Sequence, residues 1–279
     1  MSQLSSSQEL GYEGRHSLIT WIGHATVLIE LDGVRILTDP VLRNRIGFLI
    51  RYAPQVQDEW LQNIDVVLLS HLHQDHLDLP SLKRLAGDTK IVAPRGCSEF
   101  LRKTGINNVE EIGASETISI GGIEICATAA KHGGFRFPFG PTTPAVGYVI
   151  TGSKRIYFAG DTDLFPEMEG LGSPLDIALL PVGGWGFTLG PGHLNPQTAT
   201  KALELLRPRV AVPIHWGTFW TAGLLKIRQS RFSQPGREFA RISSLHAPQT
   251  RVYLTDPGQP VALPDDFWSS TWPASVDTV

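Results

Sequence analysis

Short apolar runs separated by turn residues set the pattern of this chain. Residues 18–21, 25–31 and 34–37 are three such runs, and Asp32-Gly33 between the last two suits the positive φ of a tight hairpin turn, so an antiparallel start is predicted. Residues 64–69, rich in Val and Leu, read as a buried strand. Leu79, Leu82 and Leu85 then recur at helical spacing behind Asp78, an N-cap residue, with Pro80 in the first turn. A strand over 90–93 and a short helix over 98–103 repeat the strand and helix order of an α/β layer. The second half follows the same logic. Runs 118–120 and 123–129 flank Gly121-Gly122, runs 148–151 and 155–158 flank Gly152-Ser153, and 175–182 feeds a Gly-rich loop over 183–192. Asn195-Pro196 starts a helix whose stripe is Ala199, Ala202, Leu203 and Leu206; Pro208 ends it, and 210–214 is a further buried strand.

One stretch breaks the period. Between Pro40 and Gln62, Arg43, Arg45 and Arg51 alternate with Ile46, Phe48, Leu49 and Ile50, which reads either as a lid or binding loop or as a connection docked on the core.

The apolar runs share a second property: polar residues of one chemical kind wait at their ends. Ser70-His71-Leu72-His73-Gln74-Asp75-His76 follows 64–69 directly, and His132, Asp161 and His215 each sit just past a later run. Ligands of open α/β sheets collect outside such strand ends. If the strand stays extended through His73, period two puts His71 and His73 on one face, and the turn after it lets Asp75 and His76 address a second ion. Five imidazoles (His71, His73, His76, His132, His215) and two carboxylates (Asp75, Asp161) suit two borderline divalent ions, zinc first and manganese or iron as alternatives; calcium or magnesium would want more carboxylates.

Composition narrows the context. A chain of 279 residues with 42% hydrophobic content can bury a sizeable core, and the reading is one domain over 16–265 between tails at 1–15 and 266–279. A net charge of −3 carries no basic footprint, so no nucleic-acid partner is expected. Cys97 and Cys126 lie outside any Cys-x-x-Cys spacing and read as reduced thiols, which fits the cytoplasm. No apolar run reaches the roughly 18 residues of a transmembrane helix.

The string His-x-His-x-Asp-His after a buried strand resembles the signature of the metallo-β-lactamase superfamily. Residues 21–26 (Trp-Ile-Gly-His-Ala-Thr), 37–40 (Leu-Thr-Asp-Pro), 193–196 (His-Leu-Asn-Pro) and 214–219 (Ile-His-Trp-Gly-Thr-Phe) resemble the branch that holds L-ascorbate-6-phosphate lactonase and the N-acylphosphatidylethanolamine-hydrolysing phospholipase D. The resemblance implies an αββα sandwich of two mixed sheets with helices on the outer faces and a metal site along one edge. It also implies that His71, His73 and His132 hold one ion, that Asp75, His76 and His215 hold the other, and that Asp161 bridges them. Two ions about 3.5–4 Å apart can share a hydroxide that attacks an ester-type bond. By resemblance the bond is a phosphodiester first, a lactone or other carboxylic ester second; the non-enzyme alternative is a metal-binding protein without catalysis.

The resemblance further implies that His193 lies in the active site, where it is the candidate to protonate the leaving group, with Asp75 the other candidate catalytic residue. His24 and Asp39 read as structural, with a role in orienting a ligand ranked low. Phe135, Phe137, Phe139, Trp185, Phe187, Trp216, Phe219 and Trp220 fall in loops beside these motifs and hint at an apolar or acyl-binding pocket, with Arg136 available for an anionic group. The expected partner is thus a small-molecule or lipid-like ester.

Overall fold

Val27, Ile29 and Leu31 pack into one apolar layer and Leu28 into another, and the same alternation holds for Val66 and Leu68 against Val67. Strands buried on both faces in this way must lie in the middle of a layered structure, and each fully buried Leu, Ile or Val contributes roughly 1.5–3 kcal/mol, which makes the register decisive. The computed structural model describes residues 17–263 except 86, 172–173, 187 and 225–228. The tails expected at 1–15 and 266–279, and Phe187, lie outside the described residues.

The chain opens with β1 (Ser17–Gly23), β2 (Thr26–Leu31) and β3 (Val34–Thr38), the last two joined through Asp32 and Gly33 at φ 51° and 86°, the positive pair of a type I′ turn. There follow β4 (Arg45–Ile46), β5 (Leu49–Arg51), β6 (Val66–Leu68), α1 (Leu79–Leu85), β7 (Lys90–Pro94), α2 (Ser98–Lys103) and β8 (Val109–Ile112). The second half runs through β9 (Thr117–Ile120), β10 (Ile123–Ala129), β11 (Val146–Thr151), β12 (Arg155–Phe158), β13 (Ile177–Pro181), α3 (Pro196–Leu206), β14 (Val210–Ile214), β15 (Phe219–Thr221), α4 (Gln229–Ser233), α5 (Pro235–His246), β16 (Arg251–Val252) and β17 (Pro260–Leu263).

Two mixed sheets result, ordered β17-β1-β2-β3-β6-β7-β8 and β16-β14-β13-β12-β11-β10-β9. Each begins with antiparallel hairpins and continues with parallel strands connected by crossovers. Their inner faces share one apolar layer, including Ile29, Ile36 and Leu68 from the first sheet and Tyr148, Phe158 and Val212 from the second. The outer face of the first sheet packs with Leu82 and Leu85 of α1 and Leu101 of α2; that of the second packs with Ala199, Ala202 and Leu203 of α3 and Phe239 of α5. The αββα sandwich of the expectation is therefore present.

Two details differ from the sequence reading. The stretch after Pro40 is not one long irregular loop: β4 and β5 form a hairpin that β15 extends into a small third sheet, and residues Asp58–Leu61 make a 3-10 turn. Strand β6 stops at Leu68, before the histidines, and the chain turns after His73, with the N–H groups of His76 and Leu77 both donating to the carbonyl of His73 at 3.1 and 2.8 Å. Among the described residues, no helix is long and apolar enough to cross a membrane.

Candidate metal centre

The C-terminal ends of β6, β10, β12 and β14 meet at one edge of the sandwich and bring all seven predicted ligand residues together. The chemistry of each follows from what holds its other ring nitrogen. Ser70 Oγ donates to Asp39 Oδ2 at 2.5 Å, so the hydroxyl oxygen accepts from His71 Nδ1 at 2.9 Å. His132 Nδ1 donates to the carbonyl of Gly192 at 2.8 Å. With Nδ1 carrying the proton, the Nε2 atoms of neutral His71 and His132 are bare lone pairs, and both face His73 Nδ1, at 2.9 and 3.1 Å. One proton on His73 can serve one of them; a cation at their centre serves all three.

The second group repeats the arrangement. His76 Nδ1 donates to Asp39 Oδ2 at 2.7 Å and His215 Nδ1 to the Gly183 carbonyl at 2.8 Å. Their Nε2 atoms face each other at 3.0 Å, with Asp75 Oδ2 3.8 and 3.9 Å away. Between the groups lies Asp161, whose Oδ2 is 3.1 Å from His76 Nε2 and 3.3 Å from His193 Nε2. Asp161 Oδ1 is buried, 3.2 Å from His215 Nε2, and has no hydrogen-bond partner among the described residues. Opposed lone pairs, an orphaned carboxylate oxygen and mixed N/O donors fit borderline divalent cations, whose tetrahedral ligands stand about 3.3 Å apart.

The electrostatics agree. Burial pushes His71 well below the ordinary imidazole value, His73 down to about 4 and His215 down to about 3, and it lowers His132, so these rings stay neutral and available. Burial opposes ionisation of Asp75 and Asp161, but His76 and His24 outweigh it for the first, and His215 and His76 for the second, holding both carboxyls well below their usual range. His76 is raised well above its ordinary value: Asp161 and Asp75 overcome complete burial. A field that draws a proton onto a buried imidazole also draws a cation.

His24 and Asp39, read from sequence as structural, stand directly behind the ligands. Asp39 takes donors from Ser70 N at 2.7 Å, Ser70 Oγ and His76 Nδ1, and His24 Nε2 donates to Asp75 Oδ2 at 3.0 Å. Arg136 corrects the reading in the other direction. Its Nη1 donates to the carbonyls of Leu72 and Leu77 at 2.6 and 2.9 Å and its guanidinium lies over Phe100, so it clamps the motif turn, and it does not line the cavity over the cluster.

A cavity of about 810 Å³ opens over the cluster, lined by His73, Asp75, Asp161, His193 and His215 at its floor and by Phe48, Phe137, Trp185 and Leu189 higher up. Of the eight aromatics singled out in sequence, only Phe137 and Trp185 line it among the described residues. Phe219 and Trp220 are buried, and Trp216 stacks on Trp21 at 5.4 Å. Phe48, at the β4–β5 turn, meets Trp185 edge-on at 5.5 Å and comes from the apolar group of the stretch after Pro40 that the sequence reads as a lid or binding loop or as a docked connection.

The family model of the Beta-lactamase superfamily domain matches residues 34–216, from β3 through the residue after His215. The chain belongs to the metallo-β-lactamase superfamily. Among its superfamily relatives, a metal-dependent hydrolase of Methanopyrus kandleri is 38% identical over 209 residues, covering 72% of this chain and 84% of its own. The N-acyl-phosphatidylethanolamine-hydrolyzing phospholipase D 1 of Caenorhabditis elegans is 34% identical, covering 72% of this chain and 64% of the nematode protein. The chain spans 59% of the length of its mycobacterial relatives, uncharacterized proteins 32% identical to it. In structure it is similar to Igni18, a metallo hydrolase of Ignicoccus hospitalis, with a TM-score of 0.70 at 25% identity over 89% of this chain and 99% of that one.

Proposed function

We propose that this superfamily member is a dinuclear metal-dependent hydrolase of ester-type bonds, with a phosphodiester as its first substrate class. The carrying observation is the convergence of imidazole nitrogens with two carboxylates, Asp161 buried and Asp75 partly buried, at the floor of an aromatic-walled cavity. His71, His73 and His132 would hold one ion, Asp75, His76 and His215 the other, and Asp161 both. The proposed ions are zinc first, with manganese or iron as alternatives. When bound, such ions supply Lewis acidity and a water that is deprotonated at neutral pH.

The chain's own residues do the rest. Asp39, Ser70, Gly183 and Gly192 fix which nitrogen of each imidazole is bare. Phe48, Phe137 and Trp185 offer surface to the apolar part of a substrate. His193 Nδ1 donates to the Gly190 carbonyl at 3.1 Å and its Nε2 stands 3.3 Å from Asp161 Oδ2. Burial lowers its affinity for a proton, but Asp161 outweighs that and raises it, so the ring holds a proton at Nε2 facing the cavity, where a departing oxygen can take it.

A phosphodiester agrees with the activity named for the nematode relative. A lactone or other carboxylic ester is the second reading: among the described residues, no lysine or arginine lines the cavity. The two free cysteines support a cytoplasmic site of action. Metal analysis of the purified protein, with a panel of phosphodiesters, phosphomonoesters, lactones and thioesters, tests the reading. Two equivalents of ion and turnover of one ester class are expected; less than one equivalent with no uptake on titration would overturn it.

A further inference from the structure

His24 occupies the bend between β1 and β2 at 1% exposure and φ +54°, a conformation that a residue with a side chain adopts only when its surroundings impose it. Asp39 and His215 are also non-glycine residues at positive φ, 34° and 65°, so backbone strain gathers around this centre. His24 is held through its main chain and through its ring. Its N–H donates to Thr218 Oγ1 at 2.7 Å, and its carbonyl accepts from Trp21 Nε1 and from the main-chain N–H of His215, each at 2.8 Å. Its ring lies on that of His215 with centroids 3.8 Å apart, and its Nε2 donates to Asp75 Oδ2.

Two of the three side chains proposed for the second ion are therefore held by one residue, His215 through main chain and ring face and Asp75 through a hydrogen bond. The first group takes its orientation from elsewhere, from Ser70 and Gly192. Trp185 Nε1 also donates to Asp75 Oδ2, at 2.9 Å, but it comes from the Gly-rich loop, whereas His24 comes from a buried strand bend.

We infer that His24 is a positioning residue for the second ion alone: it locks the Asp75 carboxylate and the His215 ring, and through them sets how tightly that ion is held relative to the first. The inference rests on the dinuclear reading above. A donor buried behind a ligating carboxylate removes the rotational freedom that the carboxylate would otherwise lose on binding, which is why such partners change metal affinity by about 10–100-fold.

The test is metal titration of chelator-stripped protein. Zinc uptake would be followed by competition with a chromogenic chelator, and cobalt(II) uptake by its visible absorption, for wild type, His24→Phe and His24→Asn. The phenyl ring keeps the tilted ring contact with His215 and removes the donor; asparagine tolerates the positive φ and removes both. The expected result is a first ion bound as in wild type and a second bound about 10–100-fold more weakly in His24→Phe, and more weakly still in His24→Asn, with the cobalt spectrum altered only in the second equivalent. Two ions bound as in wild type, or two weakened equally, would overturn the inference. If wild type takes up a single ion, the dinuclear reading falls; the role of His24 then stands only if that ion's cobalt spectrum shifts in His24→Phe, and falls if it does not. Should His24→Phe fail to fold, His24→Asn carries the same comparison.

Discussion

His132 and His193 lie ring to ring, 4.7 Å apart, and their proton affinities move in opposite directions. The difference comes from the partner of one atom. His132 Nε2 faces another imidazole nitrogen, where a proton is of no use to a neutral ligand set, whereas His193 Nε2 faces a carboxylate oxygen, which keeps a proton there. That contrast divides the mutants. His193→Gln should keep both ions and lower kcat by about 10²–10⁴-fold, with a smaller loss on esters whose leaving group, such as p-nitrophenolate, needs no proton. Metal analysis and two-substrate kinetics read both; a lost ion, or an equal loss on good and poor leaving groups, would make His193 a ligand or a positioning residue. Asp161→Ala, which removes both carboxylate oxygens between the two groups, should disturb both ions, while His132→Ala should weaken mainly one. Equal losses in the two variants, measured by elemental analysis, would argue against that division.

At the level of elements, one short segment couples the Gly-rich loop to α3. Gly192 takes φ +80°, its carbonyl receives His132 Nδ1, and a Cβ there would meet that nitrogen at 3.0 Å and the Lys131 carbonyl at 3.1 Å. Three residues on, Asn195 caps α3, its side chain accepting from the N–H groups of Gln197 and Thr198 while Thr198 Oγ1 accepts from the Asn195 N–H. Gly192→Ala should therefore cost the first ion affinity with little loss of helix stability, because it displaces the carbonyl that orients His132. Asn195→Ala should do the reverse, lowering the stability of the metal-free protein by about 1 kcal/mol, a Tm fall of roughly 2–4 °C, with metal affinity kept. Calorimetry and chelator competition on both variants separate the two effects. This helix start was legible in sequence because its cap and its apolar stripe agree. α5 was not legible: its buried positions recur at helical spacing, but they are Gly236, Phe239, Ala240 and Ser243, with Phe239 the one large side chain, so the stripe carries little apolar signal. β4, β5 and β15 span two or three residues each, too few for a period of two to register. The orienting role of His24 and Asp39 ranked low in sequence for another reason. Their partners Asp75 and His76 are 51 and 37 residues away, and a contact at such a separation exists only once the sheets are paired. Asp39 did carry a usable signal, a charged residue directly at the end of a buried strand, the same signal that marked Asp161.

For the whole molecule, the cost of building this centre appears when the ions are removed. Folding buries His71 and His215 completely and holds them neutral, with His215 down at about 3, while in the unfolded chain each titrates near 6.5. Below pH 6.5 the unfolded state therefore binds protons that the folded state refuses, and stability falls with pH from there toward the folded values, by up to about 1.4 kcal/mol per pH unit for each fully buried ring. His73, at about 4, and His132 act in the same direction. His76 and His193 act oppositely: their raised folded values add stability that is complete below pH 6.5 and is lost as pH rises through those values, so they add no slope on the acid side. The lowered Asp75 and Asp161 lose their contribution only as pH falls from near 3.8 toward their folded values, at the acid end of the window. Chelator-stripped protein should accordingly show a Tm that drops steeply between pH 6.5 and about 4. Saturating zinc at pH 7.5 should raise Tm, since an ion bound only by the folded state stabilises it by about 2.7 kcal/mol at a hundred times Kd, and that gain should vanish through the same acid window as protons compete for the ring nitrogens. Scanning calorimetry of stripped and zinc-loaded protein from pH 7.5 to 4 checks both. A stripped protein whose Tm is flat across that range would mean that the four lowered imidazoles are not held neutral by the fold, and the physical case for a preformed cation site at these strand ends would fail with it.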